Sequence, residues 1–402
     1  DGSLASLSAR PRFDGALAAS LPLPQLPGAS QSQEGSKAEA GASSAAPATA
    51  GSAGKSVPPN GPVVVEVKGK LAADTDHLEL TDVMASMENV GQPQLLTGTA
   101  KLAWGRTTKL DFSLASRWLD LDRLAGAHGR ALPLDTSAVL VAGLMGALPG
   151  KAETHGAIAI DQVTLGGEAL ANLDVAVTRE TGAARLKIER LFASLPAGAR
   201  LALDGALTTV EASPSFEGTI TAAGPSLRRL AAWALADGRA GEAAPDGQFS
   251  LDARLAMSAE AVSLNDATAM FADRTVKGAM TLPLHGSGAV HVAVEADTFD
   301  SNWLWTGGIS RQGLQAWIMS VAGAGTDEPG AKANERRDLK LALRAGTLKG
   351  ADRSLRDVVA ALEIAKGAIK IERLAFRSAD GIDVDLQGQF SGRDGARKGT
   401  IE

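Results

Sequence analysis

The sequence predicts a mainly β protein: an elongated, repetitive antiparallel sheet that curls into a partly open apolar groove and carries a few short helices. Three observations predict this fold. Apolar and polar residues alternate along many short runs, glycine contributes 45 of the 402 residues, and similar segments return at a spacing near 180 residues. Strict alternation is typical of strands with one buried and one solvated face, and glycine suits the turns between them.

The alternation places aliphatic and aromatic side chains on a single face of each predicted strand. In the run "KLDFSLAS", for example, Phe112 shares a face with its apolar neighbours at two-residue spacing, while Asp111 and Ser113 lie on the other face. We interpret the shared face as the lining of an apolar groove, formed by Val63, Val65, Val67, Leu110, Phe112, Leu114, Leu201, Leu203, Val290, Val292, Val294, Ile382, Val384 and Leu386.

Three segments predict helices among the strands. Residues 225–238 begin with Pro225 and end on Gly238, a favourable start and stop. Residues 135–150 are apolar throughout, and Asp135 or Thr136 is the expected cap. Residues 311–323 fall near the matching position later in the chain and predict a further helix.

The repeat sets the organisation of the chain. "LKIERL" at 186–191 returns as "IKIERL" at 369–374, and "ARPRFDGALAAS" at the start resembles "ASPSFEGTITAA" at 212–223. Both ends are therefore expected to be cuts within a longer array. The stretch 28–62 contains no Leu, Ile or aromatic residue and is expected to be a disordered linker. The predicted divisions are the tail of a preceding unit (1–27), an Ala/Ser/Gly/Pro linker (28–62), a first repeat unit (63–224) and a second unit cut at its end (225–402).

Composition excludes several classes of function. The net charge is -6 without a stripe of Lys and Arg, so we expect no nucleic-acid partner. The absence of cysteine excludes disulfides, thiolate catalysis and Cys-based zinc sites. The longest apolar run, 138–149, is shorter than the about 20 residues that a membrane-spanning helix needs, so a packed helix is expected there.

No arrangement of residues predicts an active site. His285 and His291 are six residues apart, a spacing that suits neither a helical nor a strand metal pair. Asp383 and Asp385 are the best candidates for a cation site or for paired carboxylates acting on a glycan, but a solvated strand face is the favoured interpretation. We therefore expect a protein that is not an enzyme and has no cofactor or metal.

Three segments resemble the AsmA family of bacterial envelope proteins, in the form found in alphaproteobacteria. They read "LTGTAKLAWGRTTKLDFSLASRWLDLDRLAG", "IDQVTLGGEALANLDVAV" and "LKIERLFASLPAGARLALDGAL", and they span most of residues 78–207. The resemblance implies an internal fragment of a periplasmic protein that one N-terminal helix, absent from this chain, anchors in the inner membrane. It also implies a long curled sheet whose groove binds phospholipid or another acyl-chain lipid, and a role in lipid transport and outer-membrane assembly.

Two functions stay open at this point. The first is a non-enzymatic segment that binds or conducts phospholipid along the apolar groove, with the lining residues named above as its contacts. The alternative is a structural or protein-binding β-repeat array with a sealed core, such as a spacer or a regulator of envelope assembly. Whether the helices from Asp135 and Pro225 fill the groove distinguishes the two.

Overall fold

A computed structural model describes most of the chain. Val63, His285, the predicted linker and the predicted helix at 311–323 lie outside the described residues. The structure describes residues 2–5, 12–22, 64–87, 94–126, 132–148, 152–210, 213–234, 247–258, 260–271, 274–284, 288–300, 338–349, 354–365, 368–393 and 396–401.

Twenty strands form one sheet. The first eleven are β1 (Gly2–Ala5), β2 (Arg12–Pro22), β3 (Val64–Ala73), β4 (His77–Met87), β5 (Gln94–Ala103), β6 (Lys109–Asp120), β7 (Glu153–Leu165), β8 (Glu168–Arg179), β9 (Leu186–Ser194), β10 (Arg200–Val210) and β11 (Ser213–Gly224). The remaining nine are β12 (Phe249–Met257), β13 (Ala261–Phe271), β14 (Arg274–Pro283), β15 (Val290–Asp300), β16 (Leu339–Lys349), β17 (Ser354–Ala365), β18 (Ala368–Ser378), β19 (Asp383–Arg393) and β20 (Ala396–Ile401).

Each strand pairs with the next one along the chain. The pairing is antiparallel except at β6–β7 and β15–β16, which are parallel. Within the described part of the chain, β1 and β20 are not paired with each other, so the sheet is open. The predicted mainly β fold with an open sheet and a few short helices is confirmed.

The parallel pair β6–β7 requires a crossover, and two helices provide it. They are α1 (Leu121–Leu124) and α2 (Pro133–Ala147). The predicted cap of α2 was wrong: Leu132 is the N-cap residue, makes no capping hydrogen bond with its side chain, and precedes Pro133 at the first helical position. Proline suits that position because its fixed φ is already helical and the missing N–H has no partner there. The third helix, α3 (Leu227–Ala234), follows Pro225 and connects β11 to β12.

The repeat is visible as a nine-strand period, because the two parallel pairs stand nine strands apart. β-Bulges recur with the same period. Asp82 in β4 and Asp266 in β13 adopt φ values of 51° and 49°, and Asn172 in β8 and Asp357 in β17 adopt 54° and 55°. Each lies where the strand register shifts. The predicted units 63–224 and 225–402 hold strands β3–β11 and β12–β20 respectively.

Candidate functional site

Strand register places the predicted groove lining on one face of the sheet. Leu114 on β6 faces Gly98 on β5 and Ile158 on β7, and the same face continues to Leu203 on β10. Following the pairings strand by strand, every lining residue that the structure describes belongs to this side, which we call the apolar face. Ile382 precedes β19, so only its two-residue spacing from Val384 assigns it to this face. Its side chain is 61% exposed.

An unbroken row of seven apolar side chains crosses this face from β12 to β18. Each member is directly paired with the next, and each is half-buried. Sequence analysis found only one of them, because bulges shift the register and alternation within a strand does not reveal its partner. The row consists of Leu255, Leu264, Met280, Val292, Leu341, Leu362 and Ile371.

Glycines in mid-strand positions allow neighbouring strands to approach closely. A Cβ atom on Gly98 would collide with the carbonyl oxygen of Ser113 on β6, and one on Gly278 would collide with that of Ala293 on β15. Gly98 and Gly278 are 180 residues and nine strands apart. The close strand approach is therefore part of the repeat.

Helix α2 covers the apolar face between β6 and β12. Val141, Leu144 and Met145 of the helix pack in one cluster with Phe112 and Leu203 of the predicted lining. The spacing of the three helix residues puts them on one side of α2. Under this cover the sheet residues Val177, Ile188, Leu207 and Phe216 are buried.

A second cluster lies at the end of the strands where β7 turns into β8, and α1 and α3 contribute to it. Asp122 of α1 is 7% exposed, and its carboxylate accepts hydrogen bonds from the backbone N–H groups of Gly166 (2.9 Å) and Gly167 (2.8 Å). Trp233 of α3 donates its indole N–H to the carbonyl oxygen of Leu165 at 3.0 Å. The predicted lining residues Val65 and Leu201 pack in this cluster. Both helices are thus fastened to the same β7–β8 turn.

A buried cation lies on the apolar face at the opposite ends of these strands. Arg179 on β8 pairs with Thr154 on β7, whose parallel partner is Leu110. The Arg179 guanidinium donates from Nε to the carbonyl oxygen of Ala152 (3.1 Å) and from Nη2 to the Thr154 hydroxyl (3.3 Å). Burial lowers the pKa of Arg179. Sequence reasoning missed this residue, which ties β8 to the segment where the crossover re-enters the sheet.

The other face of the sheet is polar. The two acidic candidates lie there and are engaged in ion pairs: Asp383 with Arg377 (Oδ1–Nε 2.7 Å) and Asp385 with Arg373 (Oδ2–Nη2 3.0 Å). The hydrogen bond from Arg377 lowers the pKa of Asp383. A carboxylate held ionised in this way is poorly suited to act as a general acid.

Histidines on the polar face are exposed. His155 on β7 lies 3.4 Å from the carboxylate of Asp111 on the neighbouring strand, and His291 is exposed on β15 as the alternation predicts. These residues and the ion pairs around them make a charged surface across the sheet, opposite the apolar face.

One turn brings together three groups that could bind a cation. Asp74, Asp76 and His77 connect β3 to β4. The Asp74 carboxylate accepts hydrogen bonds from the backbone N–H groups of Asp76 and His77, both at 2.9 Å, and the Asp76 bond is the main reason why its pKa falls to about 2. These hydrogen bonds shape the turn, so the arrangement is explained without an ion.

Comparisons with known proteins add little to this description. No family model and no curated protein matches the chain. A solved structure titled "Crystal structure of Sex pheromone staph-cAM373 precursor" is similar at 9% identity, covering 69% of this chain and 71% of that one, with a TM-score of 0.14. That score is too low to support an argument about fold or function. Among the helices that the structure describes, none combines the length and the apolar character needed to cross a membrane.

Proposed function

We propose that this chain is a non-enzymatic, AsmA-like periplasmic segment that binds or conducts phospholipid along its apolar face. The observation that carries the proposal is the row of seven paired apolar side chains, which crosses β12 to β18 while remaining half-buried. A continuous apolar strip of this kind on the surface of a protein commonly marks a binding site.

An acyl chain suits this strip for physical reasons. Burying each methylene contributes about 0.8 kcal/mol without any directional requirement, so a uniform wall can hold a chain at many successive positions. The charged groups of Asp383 and Asp385 lie on the other side of the sheet, where their arginine partners hold them. Contacts with an acyl chain are non-directional, so they need no polar residue on the apolar face.

The family resemblance supports the location and the wider role. In that proposal the full-length protein is anchored in the bacterial inner membrane, and the chain supports outer-membrane assembly by carrying lipid across the periplasm. Hydrophobic attraction alone would hold the lipid on the sheet, because no cofactor is needed for non-directional binding.

The test is capture of phospholipid by photo-crosslinking residues on the two faces of the same strands. Crosslinkers replace Val292 and Leu341 on the apolar face, and His291 and Lys340, their exposed neighbours on the polar face, serve as matched controls. We expect labelled phospholipid at the first pair only, together with phospholipid in the native mass spectrum of chain purified from bacterial membranes. Equal labelling at all four positions, or none at any of them, contradicts the proposal.

A second candidate function is a structural or protein-binding array with a sealed core, and α2 favours it. The helix packs in one cluster with Phe112 and Leu203, and the sheet residues Val177, Leu207 and Phe216 of that cluster are buried, as a sealed array requires. Binding of an environment-sensitive apolar dye distinguishes the two functions. A sealed array gives little fluorescence, whereas an accessible strip at Val292 gives a strong signal that a Val292→Asp variant loses.

A further inference from the structure

Helix α2 lies where a ligand of the apolar face would have to lie. Its residues Val141, Leu144 and Met145 pack in the cluster that contains Phe112 and Leu203, two of the predicted lining residues. Farther along, the unbroken row reaches Val292 on β15, and the cluster that contains Val292 includes no residue of the described helices. The helix thus covers one part of the apolar face, while the row from Leu264 to Ile371 remains half-buried.

The composition of α2 differs from that of an ordinary amphipathic cover. The side turned away from the packed residues carries Val139, Ala142, Gly143 and Gly146, and Ala142 and Gly146 are exposed. A helix that is apolar all round is normally buried on every side. Released from the sheet, α2 would therefore still present an apolar surface, which suits an acyl-chain environment.

Several local features weaken the hold of α2 on its site. The N-cap Leu132 makes no capping hydrogen bond with its side chain. Thr136, in the first turns, is 2% exposed, and its buried hydroxyl has no hydrogen-bond partner. Two glycines, Gly143 and Gly146, lie within the helix, where glycine is unfavourable. The unpaired hydroxyl of Thr136 regains water when the helix leaves the sheet, which lowers the free energy of release, while the missing cap and the glycines lower the stability of the helix itself.

The sheet does not depend on α2 for its continuity. Strands β6 and β7 pair directly with each other from Lys109–Glu153 to Asp120–Thr164. Asp122 holds α1 to the β7–β8 turn independently of α2. Movement of α2 therefore leaves the pairing of the flanking strands intact.

We propose that α2 is a built-in occupant of the lipid-binding face, and that α2 and the acyl chain of a phospholipid occupy the face between β6 and β12 alternately. This inference rests on the proposed function. The part of the face under α2 is then an autoinhibited site, which opens when lipid replaces the helix. The same chain adopts a sealed state with α2 in place and a lipid-bound state with α2 displaced.

The first experiment follows the position of α2 in the otherwise unchanged chain. Because the protein has no cysteine, spin labels can be placed on introduced cysteines at exposed Ala142 of α2 and exposed Lys187 on the polar face of β9. We expect vesicles of phosphatidylethanolamine and phosphatidylglycerol to add a longer-distance population. Labels at Lys101 and Lys187, both on the sheet, give the control distance, which stays constant.

The second experiment displaces the helix by substitution. Leu144→Asp puts a charge on the packed side of α2, and Ala142→Asp puts the same charge on its exposed side. We expect L144D to bind at least about twice as much phospholipid per chain as the wild type, and A142D to bind the same amount as the wild type. If L144D does not fold, the spin-label distances still decide the question.

The outcomes separate the two proposals. Lipid captured at Val292 in every variant, with an unchanged distance from Ala142 to Lys187, overturns the alternation of α2 and lipid but leaves the proposed function in place. No lipid captured at Val292 or at Phe112 in any variant overturns the proposed function. A longer distance together with new labelling at Phe112 in the presence of vesicles supports both.

Discussion

The aromatic ring of Phe112 on β6 lies directly over Gly156 on the parallel strand β7, and a Cβ atom on Gly156 would collide with three atoms of the ring. The ring therefore lies flat on the sheet rather than standing away from it, which leaves room above for α2. Phe216 has the same relation to Gly218 and Gly205 on its own and the neighbouring strand. Because both rings lie over glycines, they project less from the apolar face at the place where α2 packs against it.

Gly156→Ala tests this relation. The added methyl group must displace the ring of Phe112, so we expect a loss of about 1–3 kcal/mol in the free energy of unfolding, measured by urea denaturation. Gly105→Ala is the control, because nothing lies within 4 Å of a Cβ atom at that position. In a Phe112→Ala background the cost of G156A should fall to about 0.5 kcal/mol. Additive losses would show that the ring is not the source of the cost.

The bulge residues give a second prediction. Asn172 adopts φ 54°, a left-handed conformation that asparagine and glycine tolerate and β-branched residues do not. We expect Asn172→Gly to change stability by less than about 0.5 kcal/mol, and Asn172→Val to cost about 1–3 kcal/mol. Ala202→Val, on an exposed position of β10, is the control for adding valine to a strand. Thermal denaturation of the three variants measures the difference, and equal Tm values for N172G and N172V would contradict it.

Alternation within a strand could be read from the sequence because it does not depend on neighbouring strands. Leu110 and Phe112 were placed together correctly for that reason. Pairing between strands could not be read, because the bulges at Asp82 and Asp266 insert a residue and shift the register. The row through Leu264 therefore became visible only in the structure.

For the helices, too, the sequence predicted some features and not others. An apolar run at 138–149 predicted that α2 is packed, but sequence alone does not reveal which strands it crosses, since its apolar side chains fit any part of the face. Its beginning at Pro133 was missed because Asp135 and Thr136 are better capping residues by type than Leu132. The role of Asp122 depends on the β7–β8 turn, 44 residues away, and no local pattern indicates it.

Removing the carboxylate of Asp122 gives a third prediction. Asp122→Ala leaves the N–H groups of Gly166 and Gly167 without their acceptor, and at least the first bond is buried. We expect a loss of about 2–4 kcal/mol and faster hydrogen exchange of these two amides. Asp122→Asn keeps one acceptor oxygen and should lose less. The control is Glu168→Ala, an exposed change in the same hairpin. Unchanged exchange at both glycines in D122A would show that Asp122 does not hold the turn.

The fourth prediction concerns acid. Backbone hydrogen bonds lower the pKa of Asp74 to about 2. Side-chain hydrogen bonds from Lys109, Lys187 and Arg377 lower the pKa values of Glu153, Glu189 and Asp383 respectively. A carboxyl group whose pKa is lower in the folded state stabilises the fold above its unfolded pKa, near 4, and this contribution is lost as the pH falls through the folded value. We expect the Tm to stay nearly constant from pH 7 to pH 5 and to fall between about pH 4 and pH 2.

The Asp74→Asn variant isolates one of these contributions. Asparagine can still accept the N–H groups of Asp76 and His77 but has no proton to take up, so D74N should lose some stability at pH 7 and show a smaller fall in Tm below pH 4. Asp161→Asn, an exposed change in the middle of β7, is the control for exchanging a carboxyl group for an amide. Because Asp74 borders solvent, 1 M salt should reduce the part of the effect that comes from His77 more than the part that comes from the backbone bonds. A D74N profile parallel to that of the wild type would show that the turn does not contribute to the acid transition.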